Sequence, residues 1–175
     1  KKNKHGYLIH AVNKDYQADY VTISCGTPAG KLSGTKDRRT LFNSLEVDYR
    51  PMRPTITQLM TEPVYKKLKG VRMKGEFTLK GHKEKGELLF TDYGISGIAV
   101  MVLSRYACPG EEFAQADCGG LMISNFNKSF EFINYPHLYA TGEILDITGD
   151  CGGYNIHFAL ASAYSVFEEV SKTIQ

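Results

Sequence analysis

The chain has 175 residues, enough for one domain or two small ones around a real apolar core. Its composition, 42% hydrophobic and 23% charged, is that of a globular protein, and 21 basic against 19 acidic residues leave a net charge of +2, too small to argue for nucleic acid or a membrane surface as partner. No window approaches the run of about 18 apolar residues that a membrane span requires, and the basic start Lys1-Lys2-Asn3-Lys4-His5-Gly6 has no apolar stretch of a secretion signal behind it.

Residues 6–13 and 19–25 are rich in β-branched and aromatic residues, and the turn Asn13-Lys14-Asp15-Tyr16 between them predicts two antiparallel strands. A Gly/Pro/Ser-rich loop follows from Gly26 to Gly34, then a short helix from Asp37 to Ser44 in which Leu41, Phe42 and Leu45 share a face. Pro51, Pro54 and Pro63 break the chain and mark a boundary. Beyond them, 71–80 and 86–91 read as strands joined through Gly81-His82-Lys83-Glu84-Lys85. The apolar stretch from Ile95 to Tyr106 predicts a buried helix, residues 107–120 a loop, and 120–124 and 137–141 short strands. The last element is the clearest. Ile156, Ala159, Leu160, Ala163, Phe167, Val170 and Ile174 recur at spacings of three and four, an amphipathic helix entered through Gly149-Asp150-Cys151-Gly152-Gly153.

From Leu138 to Asn155 the chain runs as a strand, a glycine-containing turn with acidic residues, and a helix start carrying two glycines. Such a helix start presents N–H donors and a partial positive charge, which favour an anion or an electron-rich carbonyl. Glycines let a flat ligand approach the backbone closely. Taken from spacing alone, a loop that only turns the chain explains these residues better. Other candidates have similarly plain readings. Asp92 and Tyr93 could face a substrate, but a cap on a helix beginning at Ile95 accounts for Asp92. Ser96 in Gly94-Ile95-Ser96-Gly97 misses the G-x-S-x-G pattern of a hydrolase. The five histidines (His5, His10, His82, His137, His157) are scattered, which gives no metal site. Cys25, Cys108, Cys118 and Cys151 form no C-x-x-C pair, so reduced thiols in a cytoplasmic compartment are expected. Cys151 at the helix start could be reactive, although a small residue in a tight loop is the commoner case.

Two motifs in order carry a resemblance. Gly142-Glu143-Ile144-Leu145-Asp146 followed by Gly152-Gly153-Tyr154-Asn155 resembles the C-terminal FAD-contacting signature of the aminoacetone-oxidase-like family of bacterial flavoproteins. Gly86-Glu87-Leu88-Leu89-Phe90-Thr91-Asp92-Tyr93-Gly94-Ile95-Ser96-Gly97 is similar to that family's second hallmark. Asp37, Leu45, Pro51, Pro54 and Leu59, then Cys118-Gly119-Gly120-Leu121, Asn127 and Glu131, extend the likeness over nearly the whole chain.

The resemblance implies an α/β fold with a β-rich inserted domain. Residues 1–49 and 112–175 would be pieces of a Rossmann-like FAD domain, and 50–111 most of a β-rich substrate domain. It implies an FAD-dependent oxidoreductase acting on a small organic substrate. Gly142, Glu143 and Asp146 would lie near the ribityl and pyrophosphate part of FAD. Gly152, Gly153, Tyr154 and Asn155 would bring the helix start under the flavin pyrimidine, where its dipole stabilises negative charge arising on reduction. The sequence departs from the family in several places. No G-x-G-x-x-G fingerprint follows a strand, Ser24-Cys25-Gly26 replaces a Thr-Gly-Gly turn, Lys36 replaces a glycine, Ile98 stands where proline is usual, and a helical insertion is missing between about Tyr106 and Ala114. The missing fingerprint fits a trimmed piece or fragments of a longer protein, a degenerate relative, or a segment supplied in trans by a second polypeptide, and an unfinished FAD domain would expose apolar sheet surface and tend to self-associate. The alternative is a flavin-free domain of the same descent that binds a ligand or a protein.

Overall fold

The chain was analysed as a computed structural model that describes residues 2–3, 6–28, 38–107, 114–149 and 152–174. Strands β1 (Lys2–Asn3), β2 (Gly6–His10) and β3 (Asp15–Ala18) form an antiparallel sheet in that order. The connection between β2 and β3 is closed by the Ala11 N–H donating to the Lys14 carbonyl at 3.1 Å. The partner of the first predicted strand is therefore 15–18, and not 19–25. Val21 to Ile23 form β4, which leaves this sheet and pairs in parallel with residues 138–140 near the other end of the chain. The correction has a physical cause: Val21 and Ile23 find their apolar contacts in the main core.

Helix α1 (Arg39–Leu45) falls where the spacing predicts it and buries Phe42, which is 1% exposed. It ends at Glu46, whose left-handed backbone (φ 51) turns the chain out of the helix. Asp37, the predicted start, lies outside the described residues, as do Gly30, Gly34, Lys36, Cys108 and Cys151.

Strand β5 (Tyr49–Thr57) contains Pro51 and Pro54, so these prolines sit within an element instead of separating two. A proline is tolerated in a strand that has a neighbour on one side only, because its missing N–H breaks no second ladder. After β6 (Leu59–Met60) and a 3-10 turn at Lys66–Leu68 come β7 (Arg72–Leu79) and β8 (His82–Phe90). They pair from Arg72↔Leu89 to Leu79↔His82 around Lys80 and Gly81, whose φ values of 49° and 85° are those of a tight two-residue hairpin turn. Of the connection predicted at 81–85, residues 82–85 are strand. Its charged residues hid this, because Lys83 and Lys85 pair with Glu76 across the hairpin at 3.1 and 3.7 Å instead of marking a loop.

Strand β9 (Gly94–Ser96) completes a four-stranded sheet of order β6-β9-β8-β7. Helix α2 (Ile98–Leu103) starts three residues later than predicted and buries Ala99, Val100 and Leu103. The shift is set by Gly97, whose φ of 110° and close approach to the Glu87 carbonyl carry the chain from strand to helix. Gly86 lets α2 settle on the sheet, since a Cβ there would stand 3.2 Å from Ala99 Cβ.

Strand β10 (Ala114–Leu121) replaces the rest of the predicted loop and pairs antiparallel with β5, with an irregularity between Cys118 and Gly120. A 3-10 turn at Ile123–Asn125, β11 (Leu138–Ala140, the partner of β4), a second such turn at Gly142–Ile144 and the long helix α3 (Gly152–Ile174) follow. Three helices and several small sheets make a mixed α/β fold among the described residues. None of the described helices is long and apolar enough to cross a membrane.

The main core joins distant parts of the chain. Phe42, Leu121, Phe132, Leu138, Ile144 and Leu145 are all within 3% of full burial, with Tyr7 and Phe126 beside them. The Tyr7 hydroxyl donates to the Pro136 carbonyl at 2.7 Å. Burial first, then the charge of Glu131, pushes its pKa above the usual tyrosine value. The unfolded chain therefore gives up this proton at lower pH than the folded one. The contribution to stability is whole below the ordinary tyrosine pKa and is lost as pH rises through the raised value. Tyr7→Phe should cost about 1 kcal/mol at neutral pH through the lost hydrogen bond. It should also flatten the decline in melting temperature above about pH 10. Thermal melts between pH 8 and 11 check this; an unchanged slope would remove Tyr7 from the account.

Candidate functional site

The turn Gly142–Ile144 is pressed between β10 and α3, and this is where the predicted site residues meet. Gly142 has φ 71° and stands close to Ala159, 3.3 Å from a would-be Cβ to the Ala159 Cβ. Its N–H donates to the Ser162 hydroxyl at 3.0 Å, and that hydroxyl donates to the Ala159 carbonyl at 3.0 Å. Ser162 is 1% exposed, so one buried hydroxyl locks the turn to the third turn of α3.

The start of α3 is held by Asn155, which is buried. Its side-chain oxygen accepts from the Gly149 N–H at 2.7 Å and its amide donates to Glu143 Oε1 at 3.0 Å. Gly149 cannot carry a side chain here, because a Cβ would overlap that of Tyr154. The Gly149 carbonyl in turn accepts from Arg105 at 3.2 Å, which ties this loop to the segment just after α2. Gly142, Glu143, Gly149, Asn155 and Ser162 thus form one hydrogen-bonded unit around the helix start. The half-buried Glu143 carboxylate is fixed on one oxygen by Asn155.

Asp146 is set apart from this unit. It pairs with Arg50 at 3.1 Å, and its N–H donates to the Leu121 carbonyl at 2.8 Å. Gly152 and Gly153 open α3, Gly153 is exposed, and the Tyr154 ring is 62% exposed beside them. The structure therefore brings Gly142, Glu143 and Asn155 together directly, leaves Tyr154 open at the helix start, and commits Asp146 to an arginine. Sequence reasoning did not single out Arg50, Arg105 or Ser162. A serine in the third turn of a helix and isolated arginines carry no local pattern that would have found them.

The remaining candidates resolve simply. Asp92 caps no helix: it pairs with Lys69 at 2.8 Å, and that hydrogen bond holds its carboxyl below the usual range. Asn127 and Glu131 brace a loop. The Asn127 oxygen accepts from the Ser129 and Glu131 N–H groups at 2.9 and 3.1 Å, and Glu131 accepts from the His137 N–H at 2.7 Å. No cluster of His, Cys, Asp and Glu that could hold a metal ion occurs among the described residues.

Helix α3 brings a larger correction. Its periodic apolar residues predict an amphipathic helix, and the helix is present, but the apolar stripe is not its buried face. Instead Asn155, Ser162 and Val166 face inward, while Ile156, Leu160, Phe167 and Ile174 are each at least 64% exposed. The apolar stripe lies beside the buried face and is left open, an extent of exposed apolar surface unusual for a monomer.

Residues 53–115 match the HI0933-like protein barrel and H2TH domain. Over 117 residues, 63% of the chain, the sequence is 32% identical to a 3-dehydro-bile acid delta(4,6)-reductase of Clostridium scindens. Both likenesses support an FAD-type oxidoreductase family. The aligned stretch spans 29% of the length of that reductase.

Proposed function

We propose that the chain is part of an FAD-dependent oxidoreductase of the aminoacetone-oxidase-like type, acting in the cytoplasm on a small organic substrate. Residues 1–49 and 112–175 are then pieces of a Rossmann-like FAD domain, and 50–111 a β-rich inserted substrate domain. The reading is carried by the hydrogen-bonded unit of Gly142, Glu143, Gly149 and Asn155 at the start of α3. Support for the division comes from the family match at 53–115, which nearly coincides with the inserted segment, and from the core that joins residues on both sides of it.

The residues present suit a flavin. Gly153 leaves backbone open to a flat or chain-like ligand, and the turn made by the buried Gly142 presents Glu143, which keeps one carboxylate oxygen available for ribityl hydroxyl groups. The exposed Tyr154 ring offers a stacking surface. Asn155 has both amide atoms engaged, so its part is to position Glu143 and the Gly149 loop. Asp146 acts through Arg50. The flavin supplies the electron transfer when bound; the chain supplies orientation and the positive end of the α3 dipole. The name of the Clostridium scindens relative points to an apolar polycyclic carbonyl compound as the substrate class.

The dinucleotide end of FAD is then held by a segment bearing the G-x-G-x-x-G fingerprint that these 175 residues do not contain, whether in the same protein or in a second polypeptide, and the open stripe on α3 suits an association. The first experiment is the visible absorption spectrum of the chain after incubation with FAD and gel filtration. Retained flavin bands, weakened about tenfold in apparent affinity (about 1.4 kcal/mol) by Glu143→Ala or Gly152→Ala, support the reading. A folded, colourless protein would leave the other reading: a flavin-free domain that binds a ligand or a protein.

A further inference from the structure

A cavity of about 310 Å³ lies between α2 and the four-stranded sheet, away from the Gly142–Asn155 unit and sharing no residue with it. Its walls are Leu59, Leu88, Ile95, Val100 and Leu103. Leu88, Val100 and Leu103 are among the most buried residues of the chain. At the β7 side the lining changes to the half-buried Phe77 and Leu79 and the exposed Glu76 and Thr78. β7 is the edge strand of its sheet, so this side is the entrance.

The space is half open on the side of β7, an apolar groove in this unit and not a sealed void. Water is a poor occupant. A trapped water needs two to four polar partners, and the inner walls here offer none from side chains. Of the two polar groups at the entrance, the Glu76 carboxylate is already bonded to Lys83 at 3.1 Å. The volume lies at the lower end of small-ligand pockets, which run from about 300 to 1,000 Å³ with apolar walls and few polar groups. Gly86 seats α2 on the middle of β8, and the space lies to one side of that contact, toward β7.

We propose that this cavity binds an apolar small molecule with a compact ring body, held against Leu88, Ile95, Val100 and Leu103, whose single hydrogen-bonding end stays by Thr78 at the entrance. The assignment stands on the geometry of the β-rich unit and needs no flavin. It therefore survives failure of the FAD experiment, and its own failure leaves the flavin reading intact.

The test is a titration of the full chain, without FAD, with 2-naphthol, followed by methyl carbon–proton spectra. Saturable shifts confined to Leu79, Leu88, Ile95, Val100 and Leu103 are expected, with the exposed Ile156 and Leu160 of α3 as internal controls. Ile95→Phe, which fills the space, should weaken binding about tenfold. Should that variant fail to fold, Leu79→Phe at the half-buried entrance serves the same purpose. Absence of saturable shifts up to the solubility limit overturns the proposal. So do equal shifts on α3, or unchanged affinity in a folded cavity-filling variant.

Discussion

Gly120→Ala should destabilise the fold by about 3 kcal/mol or more and loosen the candidate site at the same time. Gly120 has φ 124°, a region closed to L side chains, which alone costs on the order of 1–3 kcal/mol. The added methyl would also collide with the Ile144 carbonyl oxygen and stand 3.0 Å from its carbon. Neither contact is the movable end of a side chain. Both belong to the turn Gly142–Ile144, whose Ile144 is fully buried in the core. Relief is possible only by moving β10 away from the turn. That would stretch the Asp146 N–H bond to the Leu121 carbonyl and withdraw Glu143 from Asn155. Chemical denaturation should show a lower midpoint, and any FAD uptake should fall with it. A variant of unchanged midpoint would mean that β10 and the turn yield more freely than their burial indicates.

This junction shows where the sequence was legible and where it was not. The glycines at 119 and 120 and the Gly142-Glu143-Ile144-Leu145-Asp146 motif are visible in one dimension, and so is the order strand, turn, helix. Their meeting depends on pairs such as Gly142 with Ser162, 20 positions apart, and Arg105 with Gly149, 44 positions apart. No local pattern tells β4 to abandon β3 for β11, because the choice is made by where Val21 and Ile23 can be buried. The same holds for Asn155. The resemblance implies ligand contact for it, while in the structure its amide bonds Gly149 and Glu143.

Strands were missed where charge or proline stood in for pattern. Lys83-Glu84-Lys85 reads as a loop in sequence, but in a hairpin alternate charges fall on the solvent face and pair across strands. Pro51 and Pro54 read as breaks, but a strand with one neighbour absorbs them. Helix α3 illustrates the reverse case. Its periodicity identified a helix correctly, since periodicity reports that one face is apolar. It does not report that the partner of that face lies within the same 175 residues. The inward face is instead built on Asn155, Ser162 and Val166, two of them polar, and is held by hydrogen bonds to the turn.

That hydrogen-bonded face makes Asn155 the most informative single residue. Asn155→Leu keeps the volume and removes both bonds. The Gly149 N–H loses its acceptor in a part-buried loop, which costs about 1–3 kcal/mol, and Glu143 loses the donor that fixes it. Asn155→Asp keeps an acceptor for Gly149 but sets a second carboxylate within hydrogen-bond distance of Glu143. The repulsion adds to the loss of the amide donor, so at neutral pH Asn155→Asp should be less stable than its retained acceptor alone would make it. Combining Asn155→Leu with Glu143→Ala separates support from contact. If the two residues act as one unit, the double variant should be destabilised by less than the sum of the singles, with a coupling of about 0.5–3 kcal/mol. Strict additivity in urea unfolding would break the unit apart and leave Glu143 to be judged on flavin uptake alone.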